Sequence, residues 1–351
     1  MIKHIVVSVF VLLTAFTAIA QDGPQFKQPE GGVPVLTGFV GLGNDFQSGQ
    51  QQVSPTFAPI VLVPFGDKWL VESELEIEGN YTHMTNQPWD NQWDKGVEYA
   101  QVDYLANRYV TVVGGRFLTP FGIFNERLHS GWIRNVQTAP YITAMEMSDG
   151  TGGMLRGGVP VGNFLKINYA ASFSASVNNS WVGSTRAAGE RIGFFFPKAR
   201  LELGTSFQRQ LQDEHVNTFG ADAIWQSNRL PLDVRAEYAR NSIVGSGYWV
   251  EGAYHMREAH FWKPFMRKSQ AEIRFEQFFL PSAATMGGSP SDMELPGSNA
   301  KRVFAGWSYW IRPEVRTNFA YGREFIDSGD HNVWTVGLTY RFAFPLMGGP
   351  K

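Results

Sequence analysis

About sixteen short segments of this chain alternate apolar and polar residues, and the connections between them alternate between long and short. Period two places successive side chains on opposite faces of a strand, so each segment has one apolar and one polar face. The sorting is sharp. In 69–81, Glu72, Glu74, Glu76 and Glu78 share one face, and Val71, Ser73, Leu75 and Ile77 share the other. In 230–239, Asp233, Arg235 and Glu237 oppose Leu232, Val234, Ala236 and Tyr238. In 270–280, Glu272, Arg274 and Glu276 oppose Ala271, Ile273 and Phe275, and in 164–174 Lys166 and Asn168 oppose Leu165 and Ile167. Most segments run to roughly 9–11 residues, enough to cross a bilayer at a tilt. Short turns at one end and longer loops at the other, with an even strand count, are how an outer-membrane barrel is built. A soluble sandwich has no reason to segregate loop length by parity. The expected fold is therefore all-β: a transmembrane antiparallel β-barrel of about sixteen strands over residues 36–344. Facing lipid would cost an Arg or Lys about 2–4 kcal/mol at the midplane, so the charged faces point inward around a hydrated lumen.

Composition agrees with an exported chain. Residues 1–20 carry Lys3, an apolar core over 5–16 and Ala18-Ile19-Ala20, which together read as a cleaved signal peptide. Residues 21–35, with three Pro and several Gly, read as a flexible lead-in, and 345–351 as a C-terminal extension. Removing 1–20 takes away Lys3 and no acid, which moves the formal charge from -2 to -3. That balance argues against a nucleic-acid partner. There is no Cys, so a core or a membrane must supply the stability that disulfides give many exported chains. Aromatic residues at 14% gather near segment ends, where a barrel in lipid carries its two girdles.

The alternation breaks once for about thirty residues, at 119–150. Phe121, Ile123, Phe124, Trp132, Ile133, Tyr141 and Ile142 want burial there, and Glu126, Arg127, Arg134 and Glu146 are interleaved with them. An apolar and charged loop of this length, entered through Gly114, Gly115, Pro120 and Gly122, is expected to fold into the lumen and constrict it. The Glu72–Glu78 stripe supplies a negative wall. Arg116, Arg274, Arg302, Arg316 and Arg341, on other strands, are candidates to compensate it. Acids on one wall and arginines on the other would set a transverse field favouring polar solutes.

Chemistry of other kinds is weakly signalled. His129-Ser130 with Asp149 could be the start of a hydrolase, but adjacent side chains cannot easily activate one another and no Gly-x-Ser-x-Gly elbow exists. His255 and His260 have no recognised metal spacing, and the acidic loop at 327–330 is not an EF-type Ca²⁺ loop. No metal site and no cofactor are expected.

Gly115-Arg116-Phe117-Leu118-Thr119-Pro120-Phe121-Gly122 resembles the G-x-F-x-x-P-F-G segment of the phosphate-selective porin O/P-type family, and the layout of the mature chain is similar throughout. The resemblance implies a sixteen-stranded, trimeric outer-membrane channel with an inward-folded third external loop. It also implies anion recognition by arginines and lysines, with Arg116 in the matching segment. The combined expectation is a porin in outer-membrane lipid that passes small hydrophilic solutes or ions passively through a charge-lined pore. The competing expectations are a closed binding or scaffold barrel and a hydrolase at the barrel mouth using His129.

Overall fold

Period-two residues do form strands, and the strands close on themselves. The computed structural model describes residues 32–346 apart from 48, 146–147, 180, 213–214, 242, 282–297 and 328. The expected signal peptide, most of the lead-in, Glu146 and the end of the C-terminal extension lie outside the described residues. In chain order the strands are β1 (Val35–Gln47), β2 (Gln50–Phe65), β3 (Trp69–Met84), β4 (Asp90–Asn107), β5 (Val110–Leu118), β6 (Asp149–Val161), β7 (Leu165–Ala175) and β8 (Ala187–Phe196). There follow β9 (Leu201–Gln210), β10 (Asn217–Gln226), β11 (Leu232–Asn241), β12 (Gly245–His255), β13 (Ser269–Phe279), β14 (Ala300–Arg312), β15 (Val315–Ile326) and β16 (Gly329–Pro345). Each pairs antiparallel with its neighbours in sequence, and β1 pairs with β16 from Val35↔Pro345 to Gln47↔Val333. Every strand thus has a partner on both sides and the sheet has no open edge. Among the described residues no helix is long and apolar enough to cross a membrane.

The two faces are inverted relative to a water-soluble fold. On β13, Arg274 is 1% exposed while its neighbour Ile273 is 58% exposed. Glu202, Asp222, Glu237, Glu251, Glu272, Glu276 and Arg316 are buried, whereas Leu155, Ile192, Leu203, Val250, Phe319 and Val336 stand exposed. Aromatic rings are exposed near both ends of the wall: Phe65, Trp69, Trp225 and Phe344 at one, Phe173, Phe219, Phe279 and Trp334 at the other. Trp69 and Tyr104 pack with centroids 4.4 Å apart.

The alternation of the sequence alone places loops at 45–54, 82–94 and 326–331, and the structure makes all three shorter. β3 continues to Met84 and β4 begins at Asp90, so the polar stretch 82–94 is mostly ladder. β1 and β2 likewise pair as far as Gln47↔Gln50, and β16 starts at Gly329. The backbone there keeps its hydrogen bonds after the apolar face has ended, because Gln, Asn, Thr and Asp can extend a hydrated strand without an apolar partner. The long connections are 119–148, 176–186, 256–268 and 280–299. The first contains α1 (Phe124–Arg127) and a 3-10 turn (Tyr141–Met145); the third contains α2 (Lys263–Met266), capped by Trp262 in a left-handed conformation.

One irregularity decides which side chains meet. β3 and β4 slip register between Glu74 and Leu75, where Glu74 opposes Tyr99 and Leu75 opposes Val97. Glu98 is the extra residue of this bulge, and a bulge re-aims side chains out of strict alternation.

Neighbouring glycines on β5 are expected to behave oppositely. Gly115 sits at φ +125°, and a Cβ there would run into the Ala100 carbonyl; nothing lies within 4 Å of a Cβ at Gly114. Gly115→Ala should lower unfolding stability by about 1–3 kcal/mol, whereas Gly114→Ala should leave it close to the parent. Urea titration in detergent followed by tryptophan fluorescence checks both.

Candidate functional site

The segment between β5 and β6 is held on the polar face of the wall, and the wall's carboxylates do most of the holding. Phe124 N–H donates to Glu237 Oε2 at 3.1 Å, Tyr141 N–H to Glu276 Oε2 at 2.9 Å, and Asn135 Nδ2 to Glu251 Oε1 at 2.7 Å. Gly122 N–H donates to Ser206 Oγ at 3.0 Å, and the Tyr141 hydroxyl donates to Glu324. Arg127 donates to Glu202 through Nη1 and Nη2, at 2.8 and 2.6 Å. Wall arginines reciprocate: Arg274 donates to Thr138 Oγ1, Arg302 to the Ala139 carbonyl and Arg316 to the Gly131 carbonyl. Arg341 stacks over the Trp132 ring at 4.3 Å. Such charge-assisted bonds are short and strong, and those to Phe124, Asn135 and Tyr141 and to the Gly131 and Ala139 carbonyls satisfy backbone or amide groups that irregular chain would otherwise bury unpaired.

Apolar contacts fix the same docking. Phe121, Ile123, Phe124, Leu128, Tyr141, Ile142 and Met145 pack with Ala239, Trp249, Phe278 and Ala300, and Val136 packs with Phe304, Ala320 and Val333. At the base, Thr119 N–H donates to the Ser148 carbonyl, and Asn125 Nδ2 bonds both Thr119 and Ser148.

The expected charged residues are thus not equivalent. Glu237, Glu272 and Glu276 are buried; Glu237 and Glu276 accept from the loop, and Glu272 accepts from Ser308 and Gln270. Arg274 lies 3.4 Å from Glu276 and 3.9 Å from Glu251, and Arg302 lies 2.9 Å from Glu276. Asp233 meets His255 at 3.3 Å, and Arg235 opposes Glu251 in register. Lys166 is exposed near the short β6–β7 turn, away from the loop. Arg116 pairs with Asp149 at 2.7 Å, and Glu126 pairs with Arg156 at 3.2 Å. Of the stripe, Glu74 is 1% exposed and the other three are partly buried.

Residues outside the expected set also matter. Glu98, Asp103, Arg156, Arg191, Asp222, Glu251 and Glu324 all join buried or half-buried charge networks, among them Arg191 with Asp222 at 2.6 Å and Arg156 with Asp103 at 2.8 Å. The available signal was weak: one charge each in 217–226 (Asp222) and 245–255 (Glu251), and adjacent charges of opposite sign in 187–196 (Glu190, Arg191) and 315–326 (Arg323, Glu324).

On the β3–β4 side the loop meets acids in excess. His129 Nε2 lies 3.4 Å from Glu98, and no hydrogen bond satisfies it. Burial, together with the Arg134 guanidinium, pushes the imidazole down to about 4, so His129 is neutral at neutral pH. Arg134 is itself lowered by burial but stays cationic, and its guanidinium donates to the Leu128 and His129 carbonyls. Asp149 is engaged by Arg116 and Ser148, and His129 faces Glu98 instead, so the Ser-His-Asp arrangement is not assembled. Two cavities flank this contact. One of about 290 Å³ is lined by Glu76, Glu78, His129 and Arg134; one of about 410 Å³ is lined by Glu72, Gln101, Glu126 and Arg156. Glu74 lies on β3 between them.

Gly122 is the loop position with least freedom. It sits at φ +59°, and a Cβ there would collide with the Glu237 carboxylate that holds Phe124. Gly122→Val should detach the loop while leaving the wall intact. The check is limited proteolysis in detergent, with cleavage expected within 119–148 at least about tenfold faster than in the parent, for an opening penalty of about 1.4 kcal/mol removed.

No protein family matches this chain by sequence, and no curated protein matches it either. Solved structures do match in shape. Salmonella typhi OmpF in complex with daunomycin is 14% identical, with a TM-score of 0.60 over 89% of this chain and 98% of that one. The trimer form of OmpT from Vibrio cholerae is 10% identical, with a TM-score of 0.56 over 88% and 100%. The anion-selective porin from Comamonas acidovorans is 9% identical, with a TM-score of 0.54 over 88% and 99%. At these identities the likeness establishes the closed sixteen-stranded barrel fold.

Proposed function

We propose that this chain is an outer-membrane porin through which small hydrophilic solutes or ions diffuse passively, with the segment 119–150 folded inward as its constriction. One observation carries the reading: an edgeless barrel whose buried face is charged and whose exposed face is apolar, with aromatic rings near both ends of the wall. Lipid is the surrounding that makes such an exterior stable, and water inside is what makes such an interior affordable. Porins among the similar structures support the same reading, and the trimer form of one of them supports a homotrimer here. Residues 1–20 fit the export signal that this location requires.

The charge pattern favours cations over phosphate. Arg274, Arg302 and Arg116 are each spent on a carboxylate, whereas the β3–β4 wall presents Glu72, Glu74, Glu76, Glu78 and Glu98 with few cations opposite. An anion relay of the phosphate-selective kind needs free arginines, and these are neutralised. A closed barrel is the second reading, favoured by the contact of His129 and Arg134 with the acidic wall between the two cavities.

Planar-bilayer recording separates the two: stepwise conductance is expected, and its absence at saturating protein would leave the closed barrel. Replacing Glu72, Glu76 and Glu78 together by Gln should move the reversal potential in a KCl gradient toward anion preference, and an unchanged potential would show that the stripe does not face the permeating path. Deleting 123–145 should raise unit conductance severalfold; an unaltered value would place the loop outside that path.

A further inference from the structure

We propose that His129, Glu74 and Glu76 form a binding site for a divalent cation of the zinc class, placed where the loop meets the β3–β4 wall. Their ligand atoms all lie within 4.8 Å of one another. Around a zinc ion with bonds near 2.0–2.1 Å, neighbouring donors sit about 3.3 Å apart, so side-chain rotation of an ångström or so completes the set. The arrangement is more than acids gathered on a strand. Glu74 is 1% exposed, and its Oε1 has no hydrogen-bond partner. A buried carboxylate oxygen without a donor costs free energy unless a cation or proton reaches it. His129 Nε2 is likewise buried without a hydrogen-bond partner, and one nitrogen of its ring is among the three clustered ligand atoms.

The surroundings favour a cation there. Glu98, brought in by the β4 bulge, stands 3.4 Å from His129 Nε2 and is available as a fourth ligand, the third through oxygen. Tyr99 reaches the Glu74 carboxylate by a hydrogen bond, an outer-shell partner of the kind that orients a ligand. Of the cations nearby, Arg134 turns its guanidinium to the loop's own carbonyls, and Arg116 turns its guanidinium to Asp149 and the Val97 carbonyl. One imidazole with carboxylates selects zinc and its transition-metal neighbours over Mg²⁺, which prefers an all-oxygen octahedron and keeps its waters.

The position gives the site a consequence. Glu76 and His129 line one cavity and Glu72 and Glu126 the other, and the site ties the loop to the β3–β4 part of the wall. A bound ion there would fasten the loop on that side as well, beside the cavity lined by Glu76, Glu78 and His129.

The test is a titration of metal-stripped, detergent-solubilised mature protein with Zn²⁺ against a chromophoric chelator, with Co²⁺ absorption as a second readout. One Zn²⁺ per chain is expected, not displaced by excess Mg²⁺, with visible d–d bands for Co²⁺. His129→Ala and Glu76→Gln should each weaken binding about tenfold or more, and Asp67→Asn, on the exposed β2–β3 turn, should not. Should His129→Ala fail to show the folded, heat-modifiable gel band, His129→Gln replaces it. Equal affinity in the His129 variants and the parent, or equal competition by Mg²⁺, would reduce the effect to cations condensed on an acidic wall and overturn the proposal. The titration needs no bilayer, so its result is independent of whether the barrel conducts.

Discussion

Closure of the sheet is the constraint on which everything else rests. Once β1 hydrogen bonds to β16, no strand has a free edge, and the ladders run from strand to strand around the whole wall. Side chains are then released from the usual demand that apolar groups go inside. Ile273 and Leu203 can stand on the outer face, and Arg274 and Glu276 can stand on the inner one. The inner charges are satisfied by each other and by the segment that docks on them, through carboxylates that accept from loop N–H groups and arginines that donate to loop carbonyls.

The docking divides the interior into two electrostatic regimes. Along β8–β16 acids and arginines are matched at short range, as in Arg191 with Asp222 and Arg302 with Glu276. Breaking one member of such a buried pair is costly because the other is left charged in a poorly solvated place. Along β3 and β4 the acids outnumber their partners, and the loop offers a neutral imidazole there. The first regime is structural glue. The second is where, on the function proposed above, a permeating or bound cation would be felt.

The sequence made the wall legible because the physics behind it has period two and is repeated on every strand. Glu72 through Glu78, Arg274 and Glu276 could be placed on a face from alternation alone. Strand ends were less legible: in 82–94 pairing continues past the last apolar residue, and polar residues carry no sign of whether their backbone is laddered. Glu98 was out of reach for a different reason, since a bulge between Glu74 and Leu75 breaks the period locally and no residue type announces it. The partners of the loop were also hidden. That Phe124 would meet Glu237 or Tyr141 would meet Glu276 depends on long-range docking across more than a hundred residues of chain, which no local pattern encodes.

The central claim is that lipid outside and water inside together sort the side chains of this barrel. The most direct measurement compares far-UV circular dichroism and light scattering of the purified mature chain in detergent-free buffer and in phospholipid vesicles. Strand-rich, heat-modifiable protein only in vesicles, with aggregation in buffer, is the result the account predicts; a monodisperse, fully folded chain in plain buffer would contradict it.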